Sequence, residues 1–169
     1  MEAWDWGRVA ASEPLSCEEE RLWRSLQRLL VALPRALDED LLRCTGLSLT
    51  QYIVLMHLSE VAGNQLRMTD LAAATALSAS RITRVVEDLQ ADDLVVKRRH
   101  ATDARGYVAV ITEEGRRRLR GAYPAHLVSA RRRVMDQLDP AIVGPLAAQV
   151  ESVADRLCAA PQAAREPEV

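Results

Sequence analysis

At 169 residues and a formal net charge of −2, the chain is long enough to bury a core as one domain, or as two small ones sharing that core, without staples. Its apolar content is aliphatic, with no Phe and only three Trp and three Tyr, and long runs of Leu, Ala and Val favour helix packing over a β-sandwich. The cysteines Cys17, Cys44 and Cys158 are far apart and lack CxxC or CxxH spacing, which argues against a disulfide framework or structural zinc and fits a reducing cytoplasm.

The N-terminal MEAWDWGRVA lacks the apolar stretch of a signal peptide, and no run reaches the roughly 18 apolar residues that a membrane helix needs. A cytoplasmic protein without a membrane partner is therefore expected. Charge is segregated along the chain. From Arg67 to Arg133 there are 14 Lys/Arg against 8 Asp/Glu, whereas the remainder holds 8 against 16. A basic middle between acidic flanks suits contact with a polyanion.

In chain order, Leu22, Leu26, Leu29, Leu30, Leu33, Leu37 and Leu41 recur every three or four residues and predict one long helix from Cys17 to about Arg43. Glu18, Glu19 and Glu20 favour its first turn, Pro34 is expected to kink or break it, and Gly46 to cap it. A second helix is expected from Thr50, with Gly63-Asn64 as its stop. A short one follows from Thr69 to Ala76 with Thr69 as N-cap, and another from Ala79 to Asp92. The period then changes: Leu94-Val95-Val96 and "YVAVI" read as an antiparallel hairpin with a long polar tip. Thr112 should cap a helix running to about Leu138, bent or split at Pro124, and Pro140 should open a last helix.

Short helix, turn, helix and β-hairpin in this order make a winged helix-turn-helix. Ser78, Ser80, Arg81, Thr83 and Arg84 lie at the start of the second helix, where hydroxyls, N–H groups and arginines suit phosphates and guanine edges. Lys97, Arg98, Arg99, His100 and Arg105 crowd the hairpin tip, as a wing entering a minor groove requires. Asp103, two residues from Arg105, is expected to aim its guanidinium, and Gly106 to let the chain turn back.

The run "DARGYVAVITEEG" resembles the DxRxxxVxLTxxG signature of the MarR family of bacterial transcription regulators. Asp103, Arg105, Thr112 and Gly115 fall in register, with Ala109 and Ile111 at the apolar places. "GLSLTQYIVLMHLSE" and "LRMTDLAAATALSASRITRVVEDLQADDLVVKR" resemble the preceding parts of that family, so the likeness runs from about Leu22 to Leu157. Asp93 stands where the family usually has Gly, which implies left-handed geometry there, and Asp tolerates that geometry better than most residues. The resemblance implies a mainly α fold with a small β-hairpin wing and an all-helical dimerisation region from both chain ends. It also implies a homodimer on a pseudo-palindromic double-stranded DNA operator, acting as a repressor released by a small aromatic or phenolic effector. The apolar faces of the first and last two helices favour a dimer independently.

On this reading residues 1–16 are an N-terminal extension, 17–46 a dimerisation helix, and 47–111 the winged DNA-binding domain. Residues 112–160 form the C-terminal dimerisation helices and 161–169 a disordered tail. Trp4 and Trp6 would pack against something if ordered. The family's effector cleft would be lined here by Trp23, Tyr52, Met56, His57, Tyr123 and His126. Redox sensing is disfavoured: the family's reactive cysteine register falls near Leu26, and three glutamates follow Cys17. His57, His100 and His126 have no metal-ligand spacing, and no catalytic or cofactor motif is present, so neither an enzyme, a cofactor nor a metal is expected. The alternative function is a winged-helix protein-interaction module without DNA binding.

Overall fold

A computed structural model describes residues 13–100 and 106–159. Helix α1 spans Cys17–Thr45 and opens with a reciprocal capping box: the Ser16 hydroxyl accepts from the Glu19 N–H, and the Glu19 carboxylate accepts from the Ser16 N–H. It closes on Gly46 at φ 72°, a left-handed position that glycine occupies without a Cβ penalty. The Arg118 guanidinium donates to the Thr45 carbonyl there (2.5 Å). Helix α2 spans Leu49–Glu60. Ser48 and Gln51 form its capping box, and Asp38 of α1 accepts from the Leu49 N–H at 2.7 Å. The helix thus begins at Leu49, capped by Ser48, one residue ahead of the expected Thr50.

After α2, a short 3-10 turn (Ala62–Asn64) puts Gly63 and Asn64 in left-handed geometry and leads into a strand that the sequence did not announce. Strand β1, Gln65–Arg67, runs directly into α3, Met68–Ala74. Arg67 therefore occupies the N-cap with no side-chain bond. Thr69, the expected cap, lies inside the helix and turns its hydroxyl to Asp70. Ala76, at φ 53°, stops α3, and α4 follows as Ala79–Ala91. Strands β2 (Val95–Arg99) and β3 (Tyr107–Ile111) complete an antiparallel sheet in the order β1-β3-β2. Leu66 pairs with Ala109, and Lys97 pairs with Ala109 from the other side. The wing is a three-stranded sheet and not the free hairpin expected.

Helix α5 spans Glu113–Arg133, a 3-10 turn covers Met135–Gln137, and α6 spans Pro140–Ala159. The helix from Thr112 thus stops at Arg133, short of Leu138, because Val134 leaves helical geometry at φ −133°. Pro34 and Pro124 sit inside α1 and α5 without dividing either helix. Both occupy exposed positions, so the carbonyl one turn back loses its donor on a face open to water and not in the core.

The core gathers Leu41 and Leu47, Val54, Leu55 and Leu58 of α2, Leu71 of α3, and Ile82, Val86 and Leu89 of α4, closed by Val95, Ala109 and Ile111 of the sheet. A second, polar junction joins α1 to α5. Asp40, almost fully buried, accepts from the Ser129 hydroxyl (2.5 Å) and from Arg43 (2.6 Å), Arg132 (2.8 Å) and Arg133 (3.1 and 3.2 Å). The bonds from Arg133 and Ser129 hold its carboxyl well below the usual carboxylate range, so it stays ionised. By contrast, residues 21–31 of α1 and every position of α6 from Ala141 to Leu157 except Ser152 are exposed, including Leu22, Leu26, Leu30, Val150, Val153 and Leu157.

Candidate nucleic-acid interface

Two short helices meeting over a tight turn position the candidate recognition surface. Leu71 of α3 packs on the buried stripe Ile82, Val86 and Leu89, which turns the opposite face of α4 outward. The turn is held by the Thr75 hydroxyl on the Leu71 carbonyl (2.7 Å) and the Leu77 N–H on the Ala72 carbonyl (3.0 Å). Ser78 caps α4, accepting from the Arg81 N–H at 3.3 Å, and its hydroxyl lies 3.2 Å from that of Ser80. Ser78, Ser80, Arg81 and Arg84 are exposed. Among the described residues neither arginine has a side-chain hydrogen bond or an ion pair, so both keep their donors for an incoming anion. Thr83 differs: it is half-buried, and its hydroxyl donates back to the Ala79 carbonyl (2.9 Å), leaving only acceptor capacity.

Beside this face lies a groove of about 630 Å³ that the sequence did not signal. Its walls are Ser80, Arg81 and Arg84 of α4, opposite Ser48, Thr50 and Gln51 at the start of α2. Asp38 of α1 fixes the start of α2 by accepting from the Leu49 N–H, and the approach of α4 to that start is a long-range contact that no local pattern encodes.

The wing carries Lys97, Arg98 and Arg99 on β2. Lys97 Nζ lies 5.1 Å from the Tyr107 ring centroid, a cation–π contact that draws it along the sheet, while Arg98 and Arg99 are exposed. The His100 N–H donates to the Gly106 carbonyl (2.9 Å), closing the ladder at the base of the tip. Asp103 and Arg105 lie outside the described residues. At the root of the wing, Asp93 takes φ 58°, the left-handed geometry expected of it. The Thr112 hydroxyl donates to the Asp93 carbonyl (2.8 Å), with the Leu94 carbonyl 3.1 Å away, and accepts from the Gly115 N–H (2.9 Å). Thr112 thus starts α5 and clamps the wing to it in one group.

Of the candidate effector residues, Tyr52 and His126 stack with ring centroids 4.5 Å apart. Met56 and His57 are half-buried nearby on α2, while Trp23 and Tyr123 are exposed. Burial pushes the Tyr52 hydroxyl up, reinforced by Tyr123 and Glu60, and burial alone pushes His126 down from 6.5. His126 Nδ1 is enclosed and has no hydrogen-bond partner among the described residues. Because the unfolded chain takes up that proton first, the stability His126 contributes is complete above about pH 6.5 and drains away as pH falls toward the lower folded value. Melting temperature should therefore drop between about pH 7.5 and 5.5, and less so in His126→Phe, which keeps the stack but cannot titrate. Parallel pH profiles for the two proteins would remove this role.

Cys17 and Cys44 are free and exposed. Among the described residues no group of three His, Cys, Asp or Glu could hold a metal ion, and no helix is long and apolar enough to cross a membrane.

A capped helix whose exposed arginines have no partner among the described residues, packed on a second short helix and flanked by a basic antiparallel wing, defines a winged helix-turn-helix protein. The family model described as "MarR family" matches residues 45–118. Sco3205, a MarR family transcriptional regulator from Streptomyces coelicolor solved in complex with DNA, is 33% identical, with a TM-score of 0.78 over 85% of this chain and 94% of that one. CouR from Rhodococcus jostii RHA1, solved bound to p-coumaroyl-CoA, is 26% identical, with a TM-score of 0.65 over 76% of this chain and 88% of that one. The HTH-type transcriptional repressor YetL of Bacillus subtilis (strain 168) is 32% identical over 81 residues, 48% of this chain and 48% of that protein, so the chain matches about half of that relative's length. The chain belongs to the MarR family of transcriptional regulators.

Proposed function

We propose that the protein binds a pseudo-palindromic operator as a homodimer in the cytoplasm, represses transcription there, and is released by a small aromatic or phenolic ligand. The observation that carries DNA binding is the pair Arg81 and Arg84, exposed and unpaired among the described residues at the capped start of α4. In this reading Ser78, Ser80, Arg81, Thr83 and Arg84 meet the major groove. Lys97, Arg98, Arg99 and His100 meet the backbone beside it, and Arg105, aimed by Asp103, enters the minor groove.

Dimerisation is supported by the exposed apolar faces of α1 and α6, which this chain alone leaves in water. Residues 17–46 and 112–160 would supply that interface. Repression is supported by the likeness to YetL, and ligand release by the likeness to CouR, with Tyr52 and His126 as the start of an effector site extending to Trp23, Met56, His57 and Tyr123.

Sedimentation of the free protein and gel retardation on the promoter fragment beside its own gene test the core of this reading. A dimer whose retention weakens steeply with salt is expected, because arginine–phosphate contacts release counterions. No retention even at low salt would favour a protein-docking winged helix.

A further inference from the structure

The wing sheet carries an arginine on each outer strand, the two aligned across the central one. Arg67 of β1 pairs with Val108 of β3, and Arg98 of β2 pairs with the same Val108 from the other side. Residues directly opposite in an antiparallel ladder share a face, so the three form one row. That row lies on the outer face of the sheet, because the adjoining row holds Leu66 and Ala109, which pack on the core. Val108 is buried between the two arginines yet stands outside the core cluster. Arg67 and Arg98 are exposed, and neither has a side-chain hydrogen bond or an ion pair among the described residues.

We propose that Arg67 is a further DNA-binding residue: with Arg98 it grips the DNA backbone from the outer face of the wing, each guanidinium on its own phosphate. Each step across the ladder is about 5 Å, so the two Cα atoms stand about 10 Å apart. Like charges at that spacing splay apart, which favours separate phosphates over a shared one. The place of Arg67 in the chain supports the same partner. It is the last residue of β1 and the N-cap of α3, the first helix of the helix-turn-helix, which in this architecture crosses the DNA backbone. It also lies toward the Tyr107 end of β3, the end nearest the wing tip, whereas Gln65 pairs with Val110 farther back. A phosphate contact there fixes the register of the wing without reading sequence. The inference rests on the DNA-binding reading and adds to it a contact made by β1.

Fluorescence anisotropy of the full chain tests the contact, on the promoter fragment beside its own gene and on a scrambled duplex of equal length, each across a salt series. Arg67→Ala should weaken both duplexes alike, by about tenfold near 0.1 M salt, and lower the slope of log affinity against log salt by about one. Arg67→Ala combined with Arg98→Ala should lower that slope by about two. Arg67→Lys should restore most of the loss, since a phosphate asks for charge more than for a planar fork. Melting temperatures should stay near the parent's, because no side-chain bond among the described residues is removed. Parent affinity and slope in Arg67→Ala overturn the proposal, as does a loss confined to the promoter fragment, which marks a base contact. A double variant whose slope falls by only about one overturns the two-phosphate arrangement. A parent protein that binds neither duplex sinks the DNA-binding reading and this contact together, whereas a parent that binds beside an indifferent Arg67→Ala sinks the contact alone.

Discussion

Replacing Gly115 with alanine is expected to destabilise the protein by about 3 kcal/mol, the upper end of the usual cost of overpacking. A Cβ there would lie 2.2 Å from the Leu94 carbonyl oxygen and 2.8 Å from Ile111 Cγ1. The first neighbour is backbone, and the same carbonyl accepts from the Thr112 N–H at 3.0 Å, so it cannot retreat without pulling the wing root from α5. Gly115 is helical, and its conformation is open to any residue; what the position demands is space. In the same helix, a Cβ at Gly121 would meet nothing within 4 Å. Gly121→Ala should therefore gain up to about 1 kcal/mol from helix propensity alone. Urea unfolding of the two variants side by side reads the contrast, and equal stabilities would contradict the close approach of α5 to Leu94.

Arg84→Ala is expected to weaken operator binding by about 1–3 kcal/mol, roughly 5- to 150-fold, while leaving the melting temperature unchanged. The separation of effects follows from its surroundings: the side chain is exposed and bonds to no described residue, so its removal orphans no buried group. Arg84→Lys refines the result. A lysine keeps the charge but loses the fork, so a base contact would suffer nearly as much as in alanine, whereas a phosphate contact would be largely restored. Fluorescence anisotropy on labelled operator at two salt concentrations measures both. An Arg84→Ala protein that binds like the parent would take α4 out of the interface.

Much of this arrangement is written locally in the chain. The leucine spacing of α1, the serine before α4, Thr112 before its two glutamates and Gly46 after Thr45 are each settled within a turn or two of backbone, and all sit where their chemistry requires. Asp93 in left-handed geometry was expected on other grounds, from the Gly that the family usually has there. What the sequence hid was long-range. Strand β1 has three residues, too few for an alternating pattern, and exists because β3 offers it a free edge. That strand puts the N-cap of α3 at Arg67 and leaves Thr69 inside the helix. Neither proline divides its helix, because breaking power depends on what surrounds the orphaned carbonyl, a property of the folded surface. No local pattern singles out Arg132 and Arg133, yet both converge on Asp40, about ninety residues earlier. Asp103 and Arg105 carried much of the argument for the wing and lie outside the described residues.

The central position of β3 has a mechanical consequence. A strand bonded along both edges cannot peel or slide by a residue without breaking two ladders together. One end of it feeds Thr112 and α5, the other ends at Tyr107 below the tip, and its flank grips β1, whose last residue starts α3. The sheet therefore acts as a stiff outrigger bolted to the long helix. The arginine-bearing strand, the start of α3 and the start of α5 are thereby tied into one unit by backbone ladders and chain continuity.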